Sequence, residues 1–581
     1  MRVSRRVLAS VLATTICAFP VHASVHDQLF KGRFDVPSDA PANANEAARF
    51  LTQATFGPGQ ADIDYLMVQG YGEWIDEQLA KPATLSEPTV EAVINARIAG
   101  TQSIGQSQRL NRWFWQAAYA PDQLRQRMAF ALSQIFVVSD QSSAINGDVA
   151  PMAHYQDLLA SDAFGNYGAL LQDVTYNPTM GKYLNAYHNV KPSSKTSPDE
   201  NYAREVMQLF SIGLVELNMD HSPVLVGGQP VPTYDQAVIT HTAKVFTGFT
   251  YSDAQLNPAR FFSGGLSFTT QYAPMACWGT ELVPPLTISQ TQHDLTGDDG
   301  TTATPKTVLG GQTIPSNQTC AQDVSDELVI IASHQNVAPF VSRQLIQRFV
   351  SSNPSPQYIQ RVATVFDTAG NDLGDVIKAI LTDSEARSPP ALTAGDSYGK
   401  LREPLLRLTA MWRAFNAQPP APDAYGEVKM IGSGGLEGNF GQAPLESPTV
   451  FNFYLPDYQQ PGTFTDNGLY SPEFQITNES TVYTAANTYY NFTAGAYLGM
   501  TSPPVDRPLI DLSTLTTNSS SPTAMVATIN AHMLYGSMSS GMQSTLSTML
   551  GQLGGGGTLP AEMAWSAIYL TMLSPEYATQ R

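Results

Sequence analysis

A chain of 581 residues with 43% hydrophobic and 10% aromatic content is a globular protein, large enough for one big domain or two to three ordinary ones. Its 31 Lys and Arg against 50 Asp and Glu give a formal net charge of −19, which argues against nucleic acid or an anionic membrane surface as the main partner. Beyond the amino-terminal segment no stretch approaches the roughly 20 apolar residues of a spanning helix, so no integral membrane segment is expected in the mature chain.

Arg2, Arg5 and Arg6 precede an apolar run over 7–19, followed by Val21-His22-Ala23, a small-residue cleavage pattern. Residues 1–23 are therefore expected to be a secretory signal peptide, and the protein to be periplasmic or extracellular. Ser4-Arg5-Arg6-Val7-Leu8 loosely resembles a twin-arginine signal, with Ala9 where that signal prefers Leu, so the export route stays open. Cleavage would remove Cys17 and leave Cys277 and Cys320, two cysteines that an oxidising compartment would join as a disulfide. Neither lies in a CxxC or beside a histidine motif that would favour a metal.

Residues 24–44, rich in Pro, Ala, Ser and Asp, read as a flexible leader, and 45–249 as an amino-terminal helical region. Ala47, Phe50, Leu51 and Ala54 recur at helical spacing, and short helices over 62–68 and 71–79 complete a three-helix head. The run 124–138 is apolar nearly all round yet bears Arg125 and Arg127, which places it centrally. Pro198 and Gly213 bracket a helix expected over 199–216, with Val206, Leu209 and Ile212 on one face. Residues 250–322 turn to Gly, Thr, Pro and aromatics with short alternation such as Leu266-Ser267-Phe268-Thr269, an insert of loops and a small β-element. Helices return over 323–429, a Gly/Pro-rich insert spans 430–475, and helices resume over 476–581. The expected fold class is mainly α: a large multi-helix domain with two irregular, partly β inserts.

There is no GxSxG, HExxH or Walker loop. The densest polar set lies on the 199–216 helix. Glu200 and Arg204, at i,i+4, share one face as an ion pair, and Glu205 is turned about 100° away, where it could meet Arg125 or Arg127. A structural ion-pair hub and a catalytic site are both consistent with that pattern. His293-Asp294 in the first insert could bind a divalent metal or act in acid–base chemistry. Adjacent side chains diverge, so such a site needs a third group, for which His188, His154 and His241 are candidates. Trp113, Trp115, Tyr176, Tyr183, Tyr187 and Tyr202 could line a carbohydrate cleft or simply pack a helical core.

With these segments in view, the chain resembles bacterial secreted proteins of the "domain of unknown function 1800" family. The likeness runs from Ala48-Arg49-Phe50-Leu51-Thr52-Gln53-Ala54-Thr55-Phe56-Gly57-Pro58 through the 124–136 segment to Glu200-Asn201-Tyr202-Ala203-Arg204-Glu205-Val206-Met207-Gln208-Leu209-Phe210. It continues in His293-Asp294 with Lys306 and Leu309-Gly310, in Lys400-Leu401-Arg402-Glu403-Pro404, and in Ser447-Pro448-Thr449-Val450-Phe451-Asn452-Phe453. Gln208 stands where relatives often have Glu, which removes a third carboxylate from the helix. The resemblance implies export and a sulfatase-like partner family, domain of unknown function 1501, and hence work on an envelope or extracellular polymer.

The leading expectation is an exported hydrolase or lyase acting on a polysaccharide or other anionic polymer. Glu205 or Glu200 would be the general acid or base, Arg204 a positioning group, and His293 with Asp294 would complete the catalytic set, as metal ligands if a divalent metal takes part. Arg125, Arg127, Tyr202, Lys306 and His188 are the candidate substrate contacts. The alternative is a non-catalytic exported scaffold or assembly factor working with the sulfatase-like partner.

Overall fold

The computed structural model describes residues 38–252, 261–262, 271–278, 291–297, 304–388, 397–432, 435–557 and 559–581. The expected signal peptide, most of the leader and the Leu266–Thr269 alternation lie outside the described residues. Helices dominate, and among the described residues the strands occur as four two-stranded antiparallel pairs.

The head forms as its periodicity predicts. Asn43 caps the helix Ala44–Ala54 by accepting from the Glu46 amide at 3.0 Å, and Ala47, Ala48, Phe50, Leu51 and Ala54 are its buried stripe. The helices Gln60–Gln69 and Tyr71–Ala80 pack beside it, and Phe50 meets the Trp74 ring edge-on at 5.2 Å. Between the first two helices the chain turns at Gly57 (φ +121°), where a Cβ would lie 2.3 Å from the Ala410 Cα. Only glycine permits that approach of the head to the helix Pro404–Ala414.

The helix Gln123–Ser133 lies between two apolar cores. Met128 and Leu132 enter a core built from the head and from the helices of the 150–210 and 320–382 segments, whereas Phe130 enters a second core with Phe56, Trp113, Trp412 and the carboxy-terminal helices. Trp113, Phe114, Trp412 and Phe492 follow one another edge to face through that second core. Trp113 is thus a packing residue. Tyr202 belongs to the first core, so the six aromatic candidates do not share one cleft.

The helix expected over 199–216 covers Asn201–Gln208. From there the backbone widens: the amides of Phe210 and Ile212 bond the carbonyls five residues back, Glu205 and Met207, at 3.1 and 2.9 Å. Gly213 (φ +72°) then closes the turn by donating to the Met207 carbonyl, a Schellman-type ending. The helices expected after residue 323 appear as Cys320–Ala332, Val337–Phe349, Pro356–Thr368 and Leu373–Thr382. Of the expected 400–416 helix, Lys400–Leu401 instead pairs as a strand with Thr579–Gln580, and Pro404 opens the helix proper. The run expected over 521–550 breaks where Tyr535 and Gly536 adopt positive φ, leaving Pro522–Ile529 and Ser540–Gly555 on either side of a short π-turn. In the first insert Phe249–Thr250 pairs with Ala276–Cys277, and Lys306–Thr307 with Thr313–Ile314.

Candidate functional site

The polar residues singled out in the sequence separate into two groups on either side of one helix, Gln236–Val245. On one side stands the signature helix. Glu200, preceding its first turn, pairs with Arg204 at 3.3 Å and accepts from Gln236 Nε2 and Thr240 Oγ1 of the neighbouring helix. Both members of that ion pair are about a third exposed (33% and 38%), so its contribution to stability is small. Tyr202 is core: its hydroxyl pairs with Thr175 Oγ1 at 2.7 Å, and its ring meets Phe246 edge-on.

Glu205 points inward and is 5% exposed, with no hydrogen-bond partner for Oε2 among the described residues. Burial raises its pKa, with the Arg204 charge pulling the other way. The expected arginine partners are elsewhere. Arg125 donates to the carbonyls of Leu79, Lys81, Ala160 and Ser161 and lies over the Phe164 ring. Arg127 is fully buried, donates to the Arg348 carbonyl at 2.6 Å and lies over Phe349. The reason is rotational: on their helix these two positions face the head and the 337–349 helix, and not the signature helix.

On the other side of Gln236–Val245 lies a buried cluster in the first insert. His293 Nε2 is 3.0 Å from Asp323 Oδ2, which also receives Lys306 Nζ at 2.6 Å; all three side chains are fully buried. Burial would raise the Asp323 pKa, but the hydrogen bond from His293 and the charge of Lys306 outweigh it and hold the carboxyl low. His293 Nδ1 lies 3.0 Å from the Thr247 carbonyl, an acceptor only. Asp294 diverges from His293, its Oδ1 accepting from the Thr296 amide and hydroxyl. The two therefore do not form a shared metal site. One turn beyond Asp323, Glu327 accepts from Thr242 Oγ1, and burial lifts its pKa to about 7. Cys277 and Cys320 are joined as a disulfide beside this cluster. His188 sits apart among the rings of Tyr187, Phe261 and Phe262, where burial lowers its pKa to about 4. His154 stacks on Tyr272, and His241 Nδ1 is 2.7 Å from the Thr307 carbonyl, so neither joins His293.

What the sequence reading missed is a cavity of about 340 Å³ at the carboxy-terminal end of the signature helix. Gln208 and Leu209 form one wall, the helix Val337–Phe349 contributes Phe340, Arg343 and Arg348, and the loop 450–457 closes the third side. Arg348 is 2% exposed and lies 4.9 Å over the Tyr454 ring; its Nε and Nη1 have no hydrogen-bond partner among the described residues. Arg343 donates one bond, to the Pro456 carbonyl at 3.3 Å, and lies over Tyr470. Asn452, held at φ +67°, leaves its Nδ2 donor unpaired. Burial and the Arg343 charge lower the pKa of His221 to about 3, so this wall residue is neutral near pH 7. The one carboxylate on the lining, Asp457, is exposed.

Behind the cavity the charges are arranged to leave it positive. Tyr454 donates to Glu403 Oε1 at 2.7 Å, as do the amides of Gln134 and Gln442. Burial would raise the Glu403 pKa, but Lys400 and Arg127 outweigh it and hold it at about 2. Lys400 pairs with Glu473 at 2.8 Å. The buried cations here, Arg127, Arg348 and Lys400, outnumber the buried carboxylates Glu403 and Glu473, and of the three Arg348 lines the cavity. One signal was available beforehand: two arginines five residues apart in a helix whose remaining residues carry no charge, Val341 to Phe349.

A family model described as "Protein of unknown function (DUF1800)" matches residues 49–579. No curated protein and no solved structure matches the chain.

Proposed function

We propose the following for this chain, which belongs to the DUF1800 family: it is exported and engages an anionic group, carboxylate or sulfate, of an envelope or extracellular polymer in the Arg343–Arg348 cavity. The observation that carries this reading is the pair of unpaired N–H donors on Arg348, a buried cation lining a cavity in a protein of net charge −19. Donors buried without partners are costly, and an acceptor-rich ligand removes that cost. Guanidinium suits planar, bidentate oxyanions, and about 340 Å³ accommodates one sugar-sized residue.

Titration calorimetry on the purified protein tests this with oligogalacturonate, a sulfated oligosaccharide and a neutral oligosaccharide of equal length. Binding of a charged oligomer but not the neutral one is expected, weakened at least tenfold by Arg348→Gln and by Arg343→Gln. If no charged oligomer binds, or both variants bind as well as the parent, the reading is wrong.

Catalysis is a second reading, favoured by Glu205. Its carboxyl is desolvated, lacks a partner on Oε2 and sits one helical turn before Gln208 and Leu209 on the cavity wall. Under this reading Glu205 serves as general acid or base on a polymer held by Arg343 and Arg348. Loss of turnover in Glu205→Gln with retained oligomer binding supports it, and unchanged turnover removes it. His293 and Lys306, sealed around Asp323, have no part in either reading.

A further inference from the structure

The disulfide has an unusual neighbour. Cys277 Sγ, Cys320 Sγ and a ring nitrogen of His293 all lie within 4.8 Å of one another, and all three residues are buried. A purely structural disulfide in a core needs only apolar surroundings. This one is joined by an imidazole and by the Thr247 carbonyl oxygen, which lies 3.7 Å from Cys277 Sγ, 3.5 Å from Cys320 Sγ and 3.0 Å from His293 Nδ1. With zinc–sulfur bonds of about 2.3 Å and zinc–nitrogen bonds of about 2.0 Å, the donor atoms of a tetrahedral site stand about 3.3–3.8 Å apart. The carbonyl-to-donor separations fall near those edges, the sulfur-to-imidazole separations lie within 4.8 Å, and reduction lets the sulfur pair open.

The far side of the imidazole supplies a second, independent observation. His293 Nε2 is fixed on Asp323 Oδ2, and that carboxylate is held in turn by Lys306 Nζ at 2.6 Å and by Gln318 Nε2 at 3.0 Å. A metal-bound histidine is characteristically oriented this way, with one nitrogen turned to the ion and the other donating to a fixed carboxylate. The charges also close: two thiolates neutralise a divalent ion, and Lys306 neutralises Asp323.

We propose that Cys277, Cys320 and His293 Nδ1, with the Thr247 carbonyl at the fourth vertex, form a zinc site that exists only when the disulfide is reduced. The site is independent of the Arg343–Arg348 cavity. A dithiol reductant supplies two electrons and two protons, the S–S bond breaks to give two thiols, and the dithiol leaves as its cyclic disulfide. Zinc then displaces one proton from each thiol and one from Nδ1, while Nε2 keeps the proton it donates to Asp323. Reoxidation expels the ion. The two sulfurs therefore alternate between a covalent crosslink and, together with His293 and the Thr247 carbonyl, a metal crosslink at one place in the fold.

The full-length protein, reduced with dithiothreitol and desalted anaerobically, is titrated with cobalt(II) as the spectroscopic probe and then with zinc. One cobalt per chain, with thiolate charge-transfer absorption and the visible bands of a tetrahedral ion, is expected, and zinc should displace it. The oxidised protein should bind none. Cys320→Ser should abolish the bands, and His293→Gln and Asp323→Asn should weaken binding at least tenfold, Asp323 acting as a positioning residue. Absence of cobalt binding by the reduced parent, or unchanged binding in His293→Gln, overturns the proposal. Circular dichroism is followed throughout. If the reduced chain loses its fold, the reduction is repeated with one equivalent of zinc. Retention of the fold then supports the site, and unfolding with and without zinc overturns it.

Discussion

Replacing Arg348 by methionine separates a binding cation from a structural one. Methionine keeps the length and apolar body of the side chain but removes the guanidinium, and the Arg348 backbone carbonyl remains to accept from Arg127 and Lys400. Among the described residues two buried nitrogens of Arg348, Nε and Nη1, go unpaired, each at a cost of about 1–3 kcal/mol. The Tyr454 ring beneath the guanidinium returns about 0.5–2 kcal/mol, and the buried Glu403 and Glu473 part of the remainder. The balance is a net penalty of about 1–3 kcal/mol that the substitution relieves. Scanning calorimetry without ligand should therefore show Arg348→Met melting roughly 2–6 °C higher than the parent. Affinity for a charged oligosaccharide should fall about 10- to 100-fold, because a charge-assisted bond is worth about 1.5–3 kcal/mol. The opposite pair of results, destabilisation by the roughly 3–5 kcal/mol of a broken buried ion pair with oligomer binding unchanged, would make Arg348 part of the Glu403 network and refute the cavity reading.

Glu403→Gln should destabilise the fold by about 3–5 kcal/mol at neutral pH, since Lys400 and Arg127 lose their buried counter-charge; urea unfolding measures it. Because the Glu403 pKa is depressed to about 2 in the fold, its contribution is present above the ordinary carboxyl range and is lost as pH falls from about 5 towards 2. Glu327 behaves in reverse. With its folded pKa raised to about 7, the fold pays increasingly as pH rises from the ordinary carboxyl value to 7, so Glu327→Gln should add up to about 3 kcal/mol at pH 8 and nothing at pH 4. Gly57→Ala should lower stability by roughly 2–4 kcal/mol in a thermal melt, because the new Cβ meets the Ala410 backbone and φ +121° is strained for alanine.

Elements with a strong period and local stop signals were legible in the sequence. The head helices are fixed by their apolar stripes and by Gly57 and Gly70, and the helices after residue 320 by caps such as Thr319, Ser355 and Asp372. Where the stop is tertiary, sequence spacing ran too far. Residues 209–212 keep a helical pattern of apolar positions, yet the backbone there widens so that Gly213 can turn against Phe340, 3.0 Å from where its Cβ would be. Lys400–Leu401 likewise becomes a strand because Thr579–Gln580, nearly 180 residues later, pairs with it.

The site was harder to read than the fold, for a physical reason. Local charge density drew attention to Glu200, Arg204 and Glu205, but density along the chain says nothing about solvation. Glu200 and Arg204 turn out to be a surface pair about a third exposed. His293 and Lys306 do meet, yet only through Asp323, a residue with no local mark in the sequence, and within a cluster sealed from solvent. Beyond the otherwise uncharged helix around them, Arg343 and Arg348 carry no local mark in the sequence that sets them apart from other helical arginines. What distinguishes them is their place on the wall of the cavity. Arg127 and Arg348 both leave Nε and Nη1 without a hydrogen-bond partner among the described residues, but Arg348 lines the cavity and Arg127 does not. A buried cation with bonds unmade, on the wall of a cavity, is a place for something else to bind.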